Sequence, residues 1–335
     1  MTTRYLITGA QGFIGRYLAQ ALLHQDPKCQ VLGLGRSPRC DRFFTHSVHL
    51  QGHRVAAPLP PDLSLCQHDR YRYVALDIQK TGSLVSLLSD YEPSVVFHLA
   101  SGLRDNPPDQ LCRANIEGTV SLLQAIVAAN HCPQKIVLGS SGGIYGVPQR
   151  LPIAETEPCR PIDIYSVTKL ASEQISAILA RDHQLPVCWA RIFNVVGAGQ
   201  EERHVVGRFA AQLTAMDAKM PCQLQVGRLD TTRDFIDIRD VITALILLSQ
   251  RGEPSEAYNI GSGRETAIGD ILHLLQERMA IAFATETVYS RPADIARHFA
   301  DIQKIQNLGF YPRFSLQESI EAVLAYYCSP ERVCL

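Results

Sequence analysis

Tyr165 and Lys169 lie four residues apart in Asp163-Ile164-Tyr165-Ser166-Val167-Thr168-Lys169. On a helix that spacing puts both side chains on one face, one turn apart. A phenol ionises near pH ~10, too high for efficient acid–base work at neutral pH. An ammonium held beside it, together with an oxidised nicotinamide, favours the phenolate. The tyrosine can then give or take a proton at a carbonyl or alcohol oxygen while hydride moves on carbon. Tyr-x-x-x-Lys also occurs by chance on surface helices, so its weight comes from its surroundings. Upstream, Ser141 in Gly139-Ser140-Ser141-Gly142-Gly143-Ile144-Tyr145-Gly146 follows a strand-like run. Its hydroxyl can orient the reacting oxygen by a hydrogen bond. A plain Ser/Gly turn would have the same composition.

A second constellation opens the chain. In Thr8-Gly9-Ala10-Gln11-Gly12-Phe13-Ile14-Gly15, three glycines sit where an apolar strand meets an amphipathic helix. Glycine permits a tight turn and close backbone approach to phosphate. The helix start adds unpaired N–H groups and a positive dipole end. Gly9, Gly12 and Gly15, with Gln11, Phe13 and Ile14 between them, are therefore expected to hold a dinucleotide. At the end of the next strand an NAD site usually carries Asp or Glu for the ribose 2′-hydroxyl. This chain has Gly33-Leu34-Gly35-Arg36-Ser37-Pro38-Arg39. Arg36 and Ser37, with Arg39 nearby, suit a 2′-phosphate, so NADP(H) is the preferred cofactor and NAD the alternative. Solvated surface arginines would read the same way.

The elements that must position these groups alternate. Strand patterns fall at Tyr5–Thr8, Val31–Leu34, Tyr73–Leu76, Val95–Leu99, Ile136–Leu138 and Pro186–Ile192; helical periodicity falls at Gly12–His24, Gln110–Asn130 and Ile164–His183. Repeated β-α-β order predicts an α/β fold, a Rossmann-type doubly wound parallel sheet with sites beyond the C-terminal strand ends. After about Gly197 the rhythm breaks, with helical patterns at Val205–Met216, Ile238–Leu248, Ile268–Met279 and Leu316–Tyr327. A smaller C-terminal α/β substrate-binding lobe would look like this. The expected division is 1–196 plus about 233–262 for the cofactor, and about 197–232 with 263–330 for the substrate. Ser37–Arg72 has no convincing period and is long for a connection. It reads as a surface insertion, either folded over the adenosine end of the cofactor or a loop without a role.

Bulk properties fit this. The chain has 335 residues, a formal charge of −1 and 46% hydrophobic residues, enough for a large core. Balanced charge gives no general attraction to nucleic acid or an anionic membrane. No apolar run is long enough to span a bilayer, and the first residues lack signal-peptide character. The ten cysteines form no Cys-x-x-Cys pair, so neither a zinc site nor a redox dithiol is signalled, and a cytoplasmic location is expected.

Taken together, these residues resemble the extended short-chain dehydrogenases/reductases that act on nucleoside-diphosphate sugars, and the resemblance runs nearly end to end. Asp77, with Ile78, resembles the family's adenine-side segment; His98-Leu99-Ala100 matches its fourth-strand signature, placing Leu99 and Ala100 at the cofactor. Asn115 in Asn-Ile-Glu-Gly-Thr matches the helix asparagine, which the resemblance places at the cofactor, and Ser141 matches the catalytic serine or threonine. Arg191-Ile192-Phe193-Asn194 matches the segment whose asparagine touches substrate phosphate. Arg233 in Arg-Asp-Phe-Ile-Asp and Arg291 in Arg-Pro-Ala-Asp match arginines that grip the diphosphate. The resemblance thus implies Asn194, Arg233 and Arg291 as substrate-binding residues.

Departures narrow the reaction. Dehydratases of the family carry Asp-Glu just after the catalytic hydroxyl; here Gly142 and Gly143 stand there, which disfavours loss of water. Reduction of a 4-keto sugar by NADPH and epimerisation through bound NAD remain. The glycine-arginine segment after the second strand favours the reductase, as does similarity to GDP-4-keto-6-deoxymannose reductases. A non-catalytic dinucleotide sensor is a third reading. Asp163-Ile164 replaces the usual Ser-Pro before the tyrosine. Gln110–Asn130 and Ile164–His183 resemble the helices that pair in family dimers, so a homodimer is expected.

Overall fold

The computed structural model describes residues 2–38, 41–63, 65, 68–216, 223–279, 283–288 and 295–329. The first half is built from β1 (Arg4–Thr8), α1 (Phe13–Gln25), β2 (Gln30–Gly35), β3 (Phe43–Leu50), β4 (His53–Pro58), β5 (Tyr71–Ala75), α2 (Thr81–Tyr91) and β6 (Val95–His98). There follow α3 (Pro108–Leu111), a π-helical segment Cys112–Glu117, α4 (Gly118–Ala128), β7 (Lys135–Ser141), α5 (Ile164–His183) and β8 (Val187–Ile192). The remainder comprises β9 (Asn194–Val196), α6 (Val205–Ala215), β10 (Gln223–Val226), β11 (Thr232–Arg233), β12 (Phe235–Asp237), α7 (Ile238–Arg251) and β13 (Ala257–Ile260). It ends with β14 (Thr266–Ala267), α8 (Ile268–Met279), β15 (Ala284–Thr287), β16 (Arg297–His298), α9 (Gln303–Gln306) and α10 (Leu316–Cys328).

Seven strands form one parallel sheet in the order β13-β8-β7-β6-β1-β2-β5. Its strands are short apolar runs, as both faces of a parallel sheet must be covered. α1 and α7 pack over Ile7, Val31, Phe97 and Val137; α2, α4 and α5 pack over Leu6, Leu32, Val96 and Ile136. The chain is thus a doubly wound Rossmann-type α/β fold. The order reverses between β1 and β6, where the carboxyl ends of the strands open a crevice.

A second apolar core joins α6, α8 and α10 through Phe209, Leu213, Ile271, Leu275, Val323 and Tyr327. Phe44, Val48, Leu50 and Ala57 of the β3–β4 hairpin belong to it. The Ser37–Arg72 segment is therefore not simply an aperiodic loop: Phe43–Pro58 forms a hairpin docked on α1, α6 and α10. Two local features conceal it in the sequence. A register shift between Phe43 and Ser47 breaks the alternation, and the two-residue turn is Gln51-Gly52, φ +50° and +81°, where Asn-Gly is the usual signature. The sequence reading also passes over α2, whose serine-rich run buries only Leu84 and Leu88, and the edge strand β13.

Candidate active site

β1 ends at Thr8, and the chain turns through Gly9 at φ +70°. A Cβ at Gly9 would stand 2.7 Å from the Ala100 nitrogen; one at Gly15 would stand 2.4 Å from the Gly9 carbonyl oxygen. Backbone packs on backbone here, which only glycine allows. Gly12 caps α1 with no side-chain cap, and the first turn holds no acidic residue. Its free N–H groups and positive dipole end are left for an anion. This cradle fits a pyrophosphate. Gln11 is braced by the fully buried Arg16, whose Nη2 donates to Gln11 Oε1 at 2.9 Å and to the Asp41 and Phe43 carbonyls.

The turn opens into a cleft of about 1500 Å³. Every described candidate lines it except Asn115: Gly9, Gln11, Gly12, Phe13, Ile14 and Gly15 of the turn, Arg36 and Ser37 after β2, Asp77 and Ile78 after β5, Leu99 and Ala100 after β6, then Ser141, Tyr165, Lys169, Asn194 and Arg233. Arg291 falls outside the described residues. Asn115, expected at the cofactor, sits behind the wall in the π-helical segment. Its Oδ1 accepts from Gly102 N (2.8 Å) and Ser101 Oγ (2.9 Å), and its Nδ2 donates to Thr168 Oγ1 (2.8 Å). Those bonds occupy its amide in tying the loop after β6 to α5.

Asp163 starts α5 by accepting from Ser166 N at 2.9 Å, so Tyr165 and Lys169 project from the first turns of one rigid helix. Tyr165 is partly buried. Burial pushes its phenol up from the usual range; the Arg104 guanidinium pulls it down, as do the Ser141 and Ser101 hydroxyls, while Asp163 raises it. Lys169 Nζ donates to the Gly139 carbonyl, and burial lowers its ammonium to about 8 although Glu173, one turn on, opposes this. Glu173 is itself paired with Arg191 (2.9 Å), which also donates to Tyr145 Oη at 2.9 Å and so locks α5 to β8. Arg191 is thus a largely covered structural cation. Asn194 Nδ2 donates to the Asp234 carbonyl (2.8 Å), and Arg233 Nη1 to the Thr232 and Ile295 carbonyls (2.7 Å each).

Ser141 ends β7, and its Oγ accepts from Gly143 N at 3.1 Å. The two glycines after it carry no acid or base, and neighbours have closed over them. A Cβ at Gly142 would meet the Phe193 ring at 3.0 Å; one at Gly143 would meet Ser166 Oγ at 2.6 Å and Arg104 Nη2 at 3.2 Å.

Several cleft residues were not found from sequence. Arg104 stacks over the Tyr165 ring. His298 on β16 is 6% exposed, and burial with nearby Arg233 and Arg104 lowers it to about 4, so its ring is neutral. Thr45 and His46 reach the cleft from the hairpin, and Glu201, Arg203 and His204 from the loop before α6. No spacing rule joins residues 46, 104, 203 and 298; the one readable signal was the Asp163 departure that turns out to hold Arg104.

A family model described as GDP-mannose 4,6-dehydratase matches residues 6–323. The chain belongs to that family. It is 28% identical to the GDP-6-deoxy-D-mannose reductase of Pseudomonas aeruginosa, over 97% of this chain and 97% of that protein. It is 27% identical to the UDP-glucose 4-epimerase of Mycolicibacterium smegmatis, over 97% of this chain and 98% of that protein. The solved UDP-glucuronic acid 4-epimerase of Bacillus cereus, in complex with UDP-glucuronic acid and NAD, superposes with a TM-score of 0.81 at 27% identity, covering 97% and 99% of the two chains. The resemblance to extended short-chain dehydrogenases/reductases therefore holds. This member is an NAD(P)-dependent enzyme that modifies nucleotide sugars. Among the described residues, no helix is long and apolar enough to cross a membrane.

Proposed function

We propose that the chain is an NADPH-dependent reductase of a nucleoside-diphosphate 4-keto-6-deoxy sugar, of the GDP-4-keto-6-deoxymannose type. The observation that carries this reading is the end of β2, where Arg36 and Ser37 border the cleft and no carboxylate stands to select a 2′-hydroxyl. The reductase relative from P. aeruginosa, similar over nearly its whole length, supports it. The family's name refers to dehydration, but Gly142 and Gly143 offer no group to expel water, and the space a side chain would need there is filled.

When bound, NADPH supplies the hydride. Tyr165 gives its proton to the keto oxygen as that oxygen gains charge, so a C=O becomes a CH–OH. Ser141 holds the same oxygen by a hydrogen bond. Lys169 keeps positive charge at the base of the phenol's helix. Asn194 and Arg233, with Arg291 by resemblance, hold the diphosphate. In this reading residues 1–196 and about 233–262 carry the cofactor, and about 197–232 and 263–330 the sugar nucleotide. Ile164, Val167 and Ile178 on α5 and Val127 on α4 are exposed apolar side chains that support pairing of two copies.

The test is NADPH oxidation by the purified protein against a panel of 4-keto sugar nucleotides, with mass spectrometry of any nucleotide that co-purifies. Consumption of NADPH with one of them, lost in Tyr165→Phe, is the expected result. Tightly bound NAD with interconversion of 4-epimers and no net cofactor turnover would replace the reductase by an epimerase. Full cellular activity of Tyr165→Phe would leave only a sensor.

A further inference from the structure

Three positions near the catalytic helix, Arg104, Asp163 and Gly143, meet at one place. Arg104, from the loop after β6, lies with its guanidinium carbon 5.4 Å from the centre of the Tyr165 ring. Its Nη1 is 2.7 Å from Asp163 Oδ2, and the other oxygen of that carboxylate caps α5 by accepting from Ser166 N at 2.9 Å. Gly143 leaves room for the guanidinium, because a side chain there would begin 3.2 Å from Arg104 Nη2. One carboxylate thus fixes both the start of the catalytic helix and a cation stacked on its tyrosine. Stacking of this kind is attractive and orients the ring.

We propose that Arg104, seated over the Tyr165 ring and locked there by Asp163, is a positioning residue for the catalytic phenol that also supplies positive charge at its proton-transfer step. This rests on the reading of Tyr165 as the proton donor. Among the described residues, the groups that act on the phenol are Ser101 and Arg104 from the loop after β6, Ser141 from β7, and Asp163 at the cap of the helix. The rings of His298 and His204, which also feel Arg104, are both lowered to about 4 and so neutral. The Lys169 ammonium is engaged with the Gly139 carbonyl. Arg104 is the charged neighbour with the largest pull toward the ionised phenol, and it outweighs the opposing Asp163.

The experiment compares pH profiles of kcat/KM for wild type, Arg104→Gln and Arg104→Lys, with Tyr165→Phe as reference. Arg104 is 42% exposed at its side chain, so both variants should fold, and matched melting temperatures check this. Removing the charge makes the phenol less acidic. The tyrosine limb of the profile should move to higher pH by about 0.5 to 1 unit in Arg104→Gln, as expected for one partly screened charge at this range. Arg104→Lys should move it less. The direction is the same whether the enzyme reduces a ketone or oxidises an alcohol, so a reductase–epimerase error does not affect the outcome. An unmoved limb in Arg104→Gln, with Tyr165→Phe inactive, overturns the proposal alone. An active Tyr165→Phe instead overturns the reading beneath it.

Discussion

Replacing Lys169 by Met should make the protein more stable at neutral pH while removing most of its activity. The ammonium is buried, and its pKa falls from 10.5 to about 8. A drop of about 2.5 units at 1.36 kcal/mol each puts the cost of holding this charge in the folded state at about 3 kcal/mol. The folded pKa lies below the unfolded one, so between pH 8 and 10.5 the unfolded chain binds more protons. Wild-type stability therefore rises across that window, and the full cost is present below pH 8. Methionine has a similar length and no charge, but leaves the Gly139 carbonyl without its side-chain donor, a loss of about 1 kcal/mol. The net gain at pH 7 is about 2 kcal/mol, or roughly 3 °C in Tm for a chain of this size. Turnover should fall by about 100-fold or more, the usual weight of acid–base assistance. Thermal melts of both proteins at pH 7 and pH 10 measure it: the advantage of the variant should vanish at the higher pH. A variant that melts below wild type at pH 7, or by the same margin at both pH values, refutes the argument that burial strains the ammonium.

Other substitutions probe the cofactor end and the buried rings. Gly15→Ala drives a Cβ against the Gly9 carbonyl, so NADPH affinity followed by nicotinamide fluorescence should drop by at least about tenfold, with a stability loss of roughly 1–3 kcal/mol from overpacking. Arg36→Ala should lower kcat/KM for NADPH by about 10- to 100-fold with little change for NADH, as one charge-assisted phosphate contact is removed; equal losses with both cofactors would contradict the 2′-phosphate assignment. His98 and His298 are held neutral, at about 3 and about 4, mainly by burial. Their folded values lie below the ordinary 6.5, so stability falls as pH drops beneath 6.5, by about 2 kcal/mol per ring at pH 5. Melts between pH 7 and 5 should show a shallower slope in His98→Gln.

What could be read from sequence followed from local rules. The glycine turn, the parallel strands and the Tyr165–Lys169 spacing each express a short-range constraint, and each appears at the cleft. The hairpin did not declare itself, because Gln51-Gly52 is an unusual turn and a bulge scrambles the alternation of β3. Asn115 was misplaced for a different reason: a matching motif cannot tell an amide that faces a ligand from one consumed by Gly102, Ser101 and Thr168. Arg104 and His298 join the site only through tertiary packing, so nothing near them in the chain announces them. In the structure the cation that pulls the phenol down is Arg104, where the sequence reading gives that part to Lys169.

The docking of the β3–β4 hairpin bears on how the chain is made. Phe44, Val48 and Leu50 emerge early in synthesis, yet α6 and α10, which cover most of them, are made much later. The hydrogen bond from Tyr326 Oη to the Pro58 carbonyl spans 268 positions. Until α6 and α10 are made this apolar ribbon has only α1 to rest on, through Phe13 against Phe44, a state open to aggregation or chaperone capture. A nascent chain arrested after α5 should therefore carry a sticky appendage that the completed enzyme lacks.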